Sequence, residues 1–223
     1  MITVHHLENS RSQRVLWLLE ELDLQYEVVR YPRDPKTMLA PASLRQIHPL
    51  GKSPILTDDG LTVAESGAIV EYLVDRYGQG RLAPEPGTPE RLLYTHFLHY
   101  AEGSLMPPLL LRLVFGRVAS GPMPFFARPI ARAIAQRARA TFIDPQVSLH
   151  LDYLEKALSE RKWFAGDEFT AADIQMSFPL ETAAARAGLD GSRPHLMGFL
   201  ERIHERPGYK WALERGGPYE LLR

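Results

Sequence analysis

Three short clusters near the start of the chain hold side chains that could do chemistry. Asn9-Ser10-Arg11-Ser12-Gln13-Arg14 lies between an apolar run and a helical pattern. Hydroxyls placed there sit at a helix N-terminus, where unpaired N–H groups and the helix dipole favour negative charge. A helix-starting role accounts for the same residues, because Ser10 and Gln13 have capping-box spacing and Asn9 suits a turn or cap. The second cluster is His48-Pro49-Leu50-Gly51-Lys52-Ser53-Pro54. Its Gly-Lys-Ser triplet resembles the tail of a phosphate-binding loop, but Gln46 stands where that motif needs glycine, so the motif is rejected. Pro54 opens a strand after a turn and is a candidate cis peptide, which would leave the Ser53 backbone facing an extended peptide ligand. The third is Ala64-Glu65-Ser66-Gly67-Ala68-Ile69. Ser66 can cap a helix, and a ligand carboxylate could share the same N–H groups while Glu65 meets an ammonium group.

Composition narrows what these clusters can serve. The chain has 223 residues, 45% hydrophobic and 24% charged, enough to bury a substantial core. Its 26 Lys and Arg against 27 Asp and Glu give a net charge of −1, without the basic excess of a nucleic-acid-binding domain. Cysteine is absent, which excludes disulfides, thiolate metal sites and a protein cysteine nucleophile. Any thiol chemistry must use a thiol brought by a substrate. The greasiest stretch, Leu105 to Val118, is broken by Pro107, Pro108 and Arg112, so no membrane span and no membrane partner are expected. The N-terminus lacks a basic region followed by an apolar run, so no signal peptide is expected and a cytoplasmic protein is.

The elements that must position the clusters follow from periodicity. Ile2–Leu7 and Tyr26–Tyr31 read as strands, and between them Val15, Leu18, Leu19 and Leu22 mark one buried helix face. Pro54–Thr57, Asp58-Asp59-Gly60 and Leu61–Val63 read as a hairpin around a turn. Helical spacing returns from Ala64 to Tyr77, with Ile69, Tyr72, Leu73 and Tyr77 along one side. Residues 1–78 thus form a small α/β domain. The Gly- and Pro-rich segment at 79–90 reads as a linker, and 91–223 as an all-helical domain. There, Leu92–Val114 carries a long helical pattern in which Pro107 and Pro108 predict a kink. Ile130, Ile134, Ala138 and Phe142 recur every fourth residue, Val147, Leu151, Leu154 and Leu158 keep similar helical spacing, and Ala171–Ala187 and His195–Glu205 complete the helices.

Gly103 to Ile143 contains no acidic residue but carries Arg112, Arg117, Arg128, Arg132, Arg137 and Arg139. A solvated helix face explains this, as does a positive field that draws an anionic ligand toward a nearby cleft. His96 and His99 lack further ligands at metal-site spacing, so no metal is expected.

Taken together the motifs support a resemblance. Ser10 with Arg14-Val15-Leu16-Trp17-Leu18-Leu19-Glu20-Glu21-Leu22, then His48 to Pro54, then Ala64 to Ile69, resemble the thioredoxin-like half of cytosolic glutathione S-transferases. The chain is especially similar to their fungal and bacterial branch. Phe164-Ala165-Gly166-Asp167-Glu168-Phe169-Thr170-Ala171-Ala172-Asp173-Ile174 is similar to that family's folding signature, where Thr170 and Asp173 have capping-box spacing and Phe169 and Ile174 could form a hydrophobic staple.

The resemblance implies an N-terminal α/β thioredoxin-like domain and an all-α C-terminal domain. It implies glutathione as co-substrate, with Ser66 on the γ-glutamyl carboxylate, Glu65 on its ammonium, and the Ser53 backbone before a cis Pro54 pairing with the cysteinyl segment. Lys52 would stand near the glycyl carboxylate. The catalytic hydroxyl or amide falls on Ser10, Asn9 or Ser12, which a one-residue register choice leaves open. Tyr100, Leu105, Met106, Leu109 and Phe115, together with Leu110 and Leu113, are candidates for a hydrophobic electrophile pocket, although core packing accounts for most of them. A homodimer is implied. Glutathione-dependent peroxide or disulfide reduction, and a non-enzymatic carrier or interaction role, remain the alternatives to thiol transfer.

Overall fold

The alternation of short apolar runs and helical patterns folds into a four-stranded sheet with a helical body against it. The computed structural model describes residues 1–217, 219 and 221; residues 218, 220, 222 and 223 of the helical stretch expected at 91–223 lie outside the described residues. Strands β1 (Ile2–Leu7), β2 (Tyr26–Tyr31), β3 (Ile55–Asp58) and β4 (Leu61–Ala64) lie in the order β2-β1-β3-β4. β1 and β2 are parallel with Ile2 opposite Tyr26, whereas β3 runs antiparallel to both β1 and β4. The β3–β4 turn falls on Asp59 and Gly60, whose φ of 46° and 87° suit the type I′ hairpin that an Asp-Gly pair favours. Helix α1 (Ser12–Glu21) connects β1 to β2, and α2 (Ser66–Tyr77) follows β4. The remaining helices are α3 (Pro89–Tyr100), α4 (Met106–Ser120), α5 (Arg128–Ala138), α6 (Asp144–Glu160), α7 (Ala171–Arg186), α8 (Pro194–His204) and α9 (Pro207–Gly216). Helix α9 had no counterpart in the sequence reading. Among the described residues no helix is long and apolar enough to cross a membrane.

Helix α1 departs from the single buried face that its periodicity predicts. Every residue from Ser12 to Leu19 is buried, because the sheet covers one side and α7 and α9 cover the other. Trp17 meets the Tyr209 ring edge-on at 5.1 Å and the Phe169 ring at 5.6 Å. Polar residues at the start of α1 are therefore enclosed between the sheet and the helical body. One apolar core runs from Val4 and Leu56 in the sheet to Phe97, Phe164 and Phe199 among the helices.

The predicted kink between α3 and α4 takes a definite form. Pro107 lacks the N–H that would bond back to Gly103, and the chain instead winds through a π-turn at Ala101–Leu105 before α4 begins. The same device, with Pro145, separates α5 from α6 at Arg139–Ile143. Periodicity misleads on α5: Ile130, Ile134 and Phe142 are exposed, and Ala135 and Ile143 are buried in their place. On α6 the residues Val147, Leu151, Leu154 and Leu158 are buried.

Helix α7 starts with the reciprocal cap its sequence suggests. Asp173 accepts from the backbone of Phe164 at 2.9 Å and of Thr170 at 2.8 Å, and from the Thr170 hydroxyl at 3.0 Å. Complete burial pushes the Asp173 carboxyl up to about 6 despite these bonds. Phe169 packs between Trp17, tilted at 35°, and Trp163, edge-on at 69°, with the Arg206 guanidinium 3.7 Å above its ring.

Candidate active site

A cleft of about 650 Å³ opens between the two halves of the molecule. One side is formed by the turn before α1 (Asn9 to Arg11), residues 37–40 and residues 51–53; the other by α4 and α7. Met106, Leu109 and Leu113 of α4 and Phe178 of α7 give the helical side an apolar surface.

Ser10 faces this cleft from just outside the helix. The first residue of α1 is Ser12 and the position before it is Arg11, so Ser10 does not form the expected capping box with Gln13. The reason is local geometry. Asn9 turns the chain at φ 50°, the Ser10 hydroxyl oxygen accepts from the Ser12 amide at 3.2 Å, and the Gln13 amide bonds the Ser10 carbonyl at 3.3 Å. The Ser10 oxygen lies 2.7 Å from the Ser12 hydroxyl oxygen and 3.5 Å from that of Ser53. Ser12 is fully buried behind it, 2.9 Å from His6 Nδ1. Burial first, then Arg30, pushes the His6 imidazole down to about 4, so it is neutral near pH 7. A hydrogen bond to the Gly216 backbone acts in the opposite direction but is outweighed, and the Ser12 hydroxyl donates to the Leu7 carbonyl at 3.3 Å.

Ser53 is tied to the edge of β1, its hydroxyl donating to the His5 carbonyl at 3.1 Å and accepting from the Leu7 amide at 3.3 Å. The Ser53–Pro54 peptide is cis. Lys52 is exposed at the cleft, while Pro54 is buried beneath it.

Ser66 occupies the first position of α2 rather than the cap, which Glu65 holds at φ 74°. Its oxygen accepts from Arg14 Nη1 at 3.3 Å and from Gln175 Nε2 at 3.1 Å. With both lone pairs engaged, the Ser66 proton is left to donate to an anion. Arg14 is 1% exposed and is fixed by Glu102, which it meets at 2.7 Å while Arg11 meets the other carboxylate oxygen at 2.8 Å. Burial pushes the Glu102 carboxyl up, but Arg14 and Arg11 outweigh it and hold it below the usual range. Glu102 lies on the π-turn after α3, so this cluster locks the two halves together beside the cleft. Sequence reading missed it, because Arg14 and Glu102 are far apart in the chain.

The cleft is cationic. Arg11, Arg33, Lys52, Arg112, Arg117, Arg139 and Arg186 line it, and no carboxylate does among the described residues. Arg11 shares the Glu102 carboxylate with Arg14, and Arg112 and Arg139 share that of Asp144. Arg33 donates instead to the carbonyls of Glu8 at 3.1 Å, Met38 at 2.8 Å and Asn9 at 3.1 Å. Burial lowers the pKa of Arg33, and Arg117 and Arg11 lower it further by repulsion. The arginine-bearing stretch had signalled part of this field; Arg33 and Arg186 join it only through folding.

Other expected pocket residues divide. Met106 and Leu109 line the cleft together with Leu110 and Leu113. Tyr100 lies outside the cleft lining and bonds His150 through its hydroxyl, and Leu105 is fully buried in the core. Phe115 lines a neighbouring hollow between α4 and α5, on the opposite side of α4 from Leu113. Among the described residues no group of His, Asp and Glu could hold a metal.

Comparisons with known proteins agree with this architecture. The family model described as Glutathione S-transferase, N-terminal domain, matches residues 1–75, and that of the Glutathione S-transferase C-terminal domain matches 129–207. The chain is 37% identical over 217 residues to Glutathione S-transferase 3 of Schizosaccharomyces pombe, covering 96% of this chain and 88% of that relative. A crystal structure of a glutathione S-transferase from Actinobacillus pleuropneumoniae is similar at TM-score 0.83 and 34% identity, covering 100% of this chain and 96% of that one. A sphingomonad glutathione S-transferase complexed with glutathione is similar at TM-score 0.73 and 25% identity, covering 96% and 98%.

Proposed function

The chain belongs to the glutathione S-transferase family, and from that premise we propose that Ser10 holds the glutathione thiol as a thiolate for attack on a hydrophobic electrophile. Glutathione is the co-substrate. The observation that carries the assignment is the Ser10 hydroxyl, facing the cleft while its oxygen accepts from the Ser12 amide. That amide bond draws electron density from the oxygen and strengthens the hydroxyl as a donor.

A free cysteine thiol has a pKa of ~8.5 and is roughly 3% ionised at neutral pH. Lowering it by ~2 units stabilises the thiolate by about 2.7 kcal/mol. One charge-assisted hydrogen bond contributes about 1.5–3 kcal/mol, so the Ser10 donor together with the cationic cleft has the required size. Ser10 donates without losing its proton. Asn9 remains the second candidate at the same turn; Ser12, enclosed behind Ser10, acts through it.

Ser66 offers its proton, and Arg14 its charge, to the γ-glutamyl carboxylate, with exposed Glu65 for the ammonium group. The Ser53 backbone pairs with the cysteinyl segment, and Lys52 stands near the glycyl carboxylate. In this arrangement residues 1–78 bind glutathione, 79–90 link, and the helical region from 91 onward holds the electrophile over Met106, Leu109, Leu113 and Phe178. Two copies pair as a homodimer, for which exposed Phe126, Ile130 and Ile134 offer apolar surface. A reduced thiol is the state the cytoplasm maintains, where we place the protein.

The test is titration of the bound glutathione thiolate by its ultraviolet absorbance in wild type and Ser10→Ala. A raised thiol pKa in the variant supports the assignment; an unchanged one removes Ser10 from the role. Sedimentation equilibrium that returned only a 25 kDa species would remove the homodimer.

A further inference from the structure

We propose that the second substrate of this enzyme is a hydrophobic electrophile bearing a carboxylate, gripped by Arg117 of α4 and Arg186 of α7. The inference rests on the glutathione site described above and specifies what reacts there. Both side chains line the cleft, both are exposed, and among the described residues neither has a carboxylate within ion-pair distance. Arg112 and Arg139 differ from them in this respect, since both pair with Asp144.

The positions of the two arginines follow from helix geometry. On α4, Met106, Leu109, Leu113 and Arg117 succeed one another at three or four residues, so an apolar strip ends in a cation. On α7, Phe178, Thr182 and Arg186 do the same at steps of four. The apolar strip of α4 and the Phe178–Thr182 row of α7 thus each end in arginine, matching a ligand with an apolar body and an anionic end. Arg33 stands across from Arg117 closely enough to be destabilised by it, so the field between them favours an anion. Thr182 Oγ1 is buried without a hydrogen-bond partner and adds a polar group on the same strip. A guanidinium is planar and presents paired donors, which suits a carboxylate better than a neutral ester.

Aryl substitution illustrates the chemistry. The thiolate sulfur of glutathione forms a bond to the ring carbon of 4-chloro-3,5-dinitrobenzoate that carries chlorine, and chloride leaves with the electron pair of the broken bond. The thiol proton has already passed to water. The ring carboxylate takes no part in the bond changes and serves only as the handle.

The experiment measures equilibrium binding of three stable probes, which separates recognition from turnover. They are S-methylglutathione, the glutathione conjugate of 4-chloro-3,5-dinitrobenzoate, and the conjugate of its methyl ester. In wild type the acid conjugate is expected to bind about 10-fold or more tightly than the ester conjugate. In Arg117→Gln/Arg186→Gln that preference should fall to about 2-fold or less, with S-methylglutathione still bound as the control for fold and for the glutathione site. Equal binding of the two conjugates by wild type overturns the proposal while leaving the glutathione reading intact. An acid preference that survives in the double variant also overturns it. Failure of S-methylglutathione to bind wild type overturns both.

Discussion

The hydroxyl oxygens of Ser10 and Ser12 lie 2.7 Å apart, and only the first of them faces the cleft. The Ser12 hydroxyl donates to the Leu7 carbonyl at 3.3 Å, so in its short contact with Ser10 it is the acceptor. In the proposed mechanism the Ser10 hydroxyl rotates toward the sulfur when glutathione binds, and the Ser12 amide remains to polarise it.

Ser10→Ala and Ser12→Ala should therefore differ in kind. Ser10→Ala is expected to raise the bound thiol pKa by about 1–2 units and lower kcat/KM about 10- to 100-fold at neutral pH. Ser12→Ala keeps the direct donor and should lower kcat/KM by only about 2- to 5-fold, with a smaller pKa change. The thiolate titration and steady-state rates measure both. A larger effect from Ser12→Ala would place the donor there.

His6 makes stability fall on the acid side. Its folded pKa of about 4 is below the ordinary 6.5, so the unfolded chain binds a proton first as pH falls. The stability it contributes is present above 6.5 and is lost progressively between 6.5 and about 4, by about 3 kcal/mol. Asp173 acts with the opposite sign between its usual 3.8 and about 6, because its folded carboxyl holds a proton longer. Urea unfolding across this pH range in wild type and His6→Asn isolates the His6 contribution. The variant should show a shallower acid loss; identical slopes would contradict it.

Glu102→Ala leaves Arg14 buried beside Ser66 without its counter-charge. Removing a partner from a fully buried pair destabilises by about 3–5 kcal/mol, and partial exposure of Glu102 reduces this to about 2–3 kcal/mol. Glutathione affinity should fall too, since Arg14 also positions the Ser66 hydroxyl. Chemical denaturation and calorimetric titration read the two effects. A variant as stable as wild type would show that water replaces the carboxylate at no loss.

Asp173→Ala removes the acceptor of two backbone amides and one hydroxyl in the core. An expected loss of about 3 kcal/mol follows from leaving these donors unpaired. Asp173→Asn, which keeps one carbonyl acceptor, should lose about half as much. Thermal unfolding of both variants tests the order.

Much of the fold was legible because its signals are short-range. The Asp59-Gly60 hairpin, the Thr170–Asp173 cap and the Pro107–Pro108 kink each depend on a few consecutive residues. The α5 stripe of Ile130 and Ile134 was misread because periodicity identifies an apolar face without saying what covers it.

By itself the sequence determined the order of the strands and of most helices, which polar residues cluster near their ends, and that any reactive sulfur must be borrowed. Tertiary structure alone decided that α1 is enclosed on all sides and that Arg14 meets Glu102. It also decided that Arg33, Arg117 and Arg186, carried by three separate elements, surround one cleft without a carboxylate among the described residues. The physical reason is range. Capping, turns and periodicity act over a few residues, whereas burial and electrostatic fields depend on which distant segments pack together.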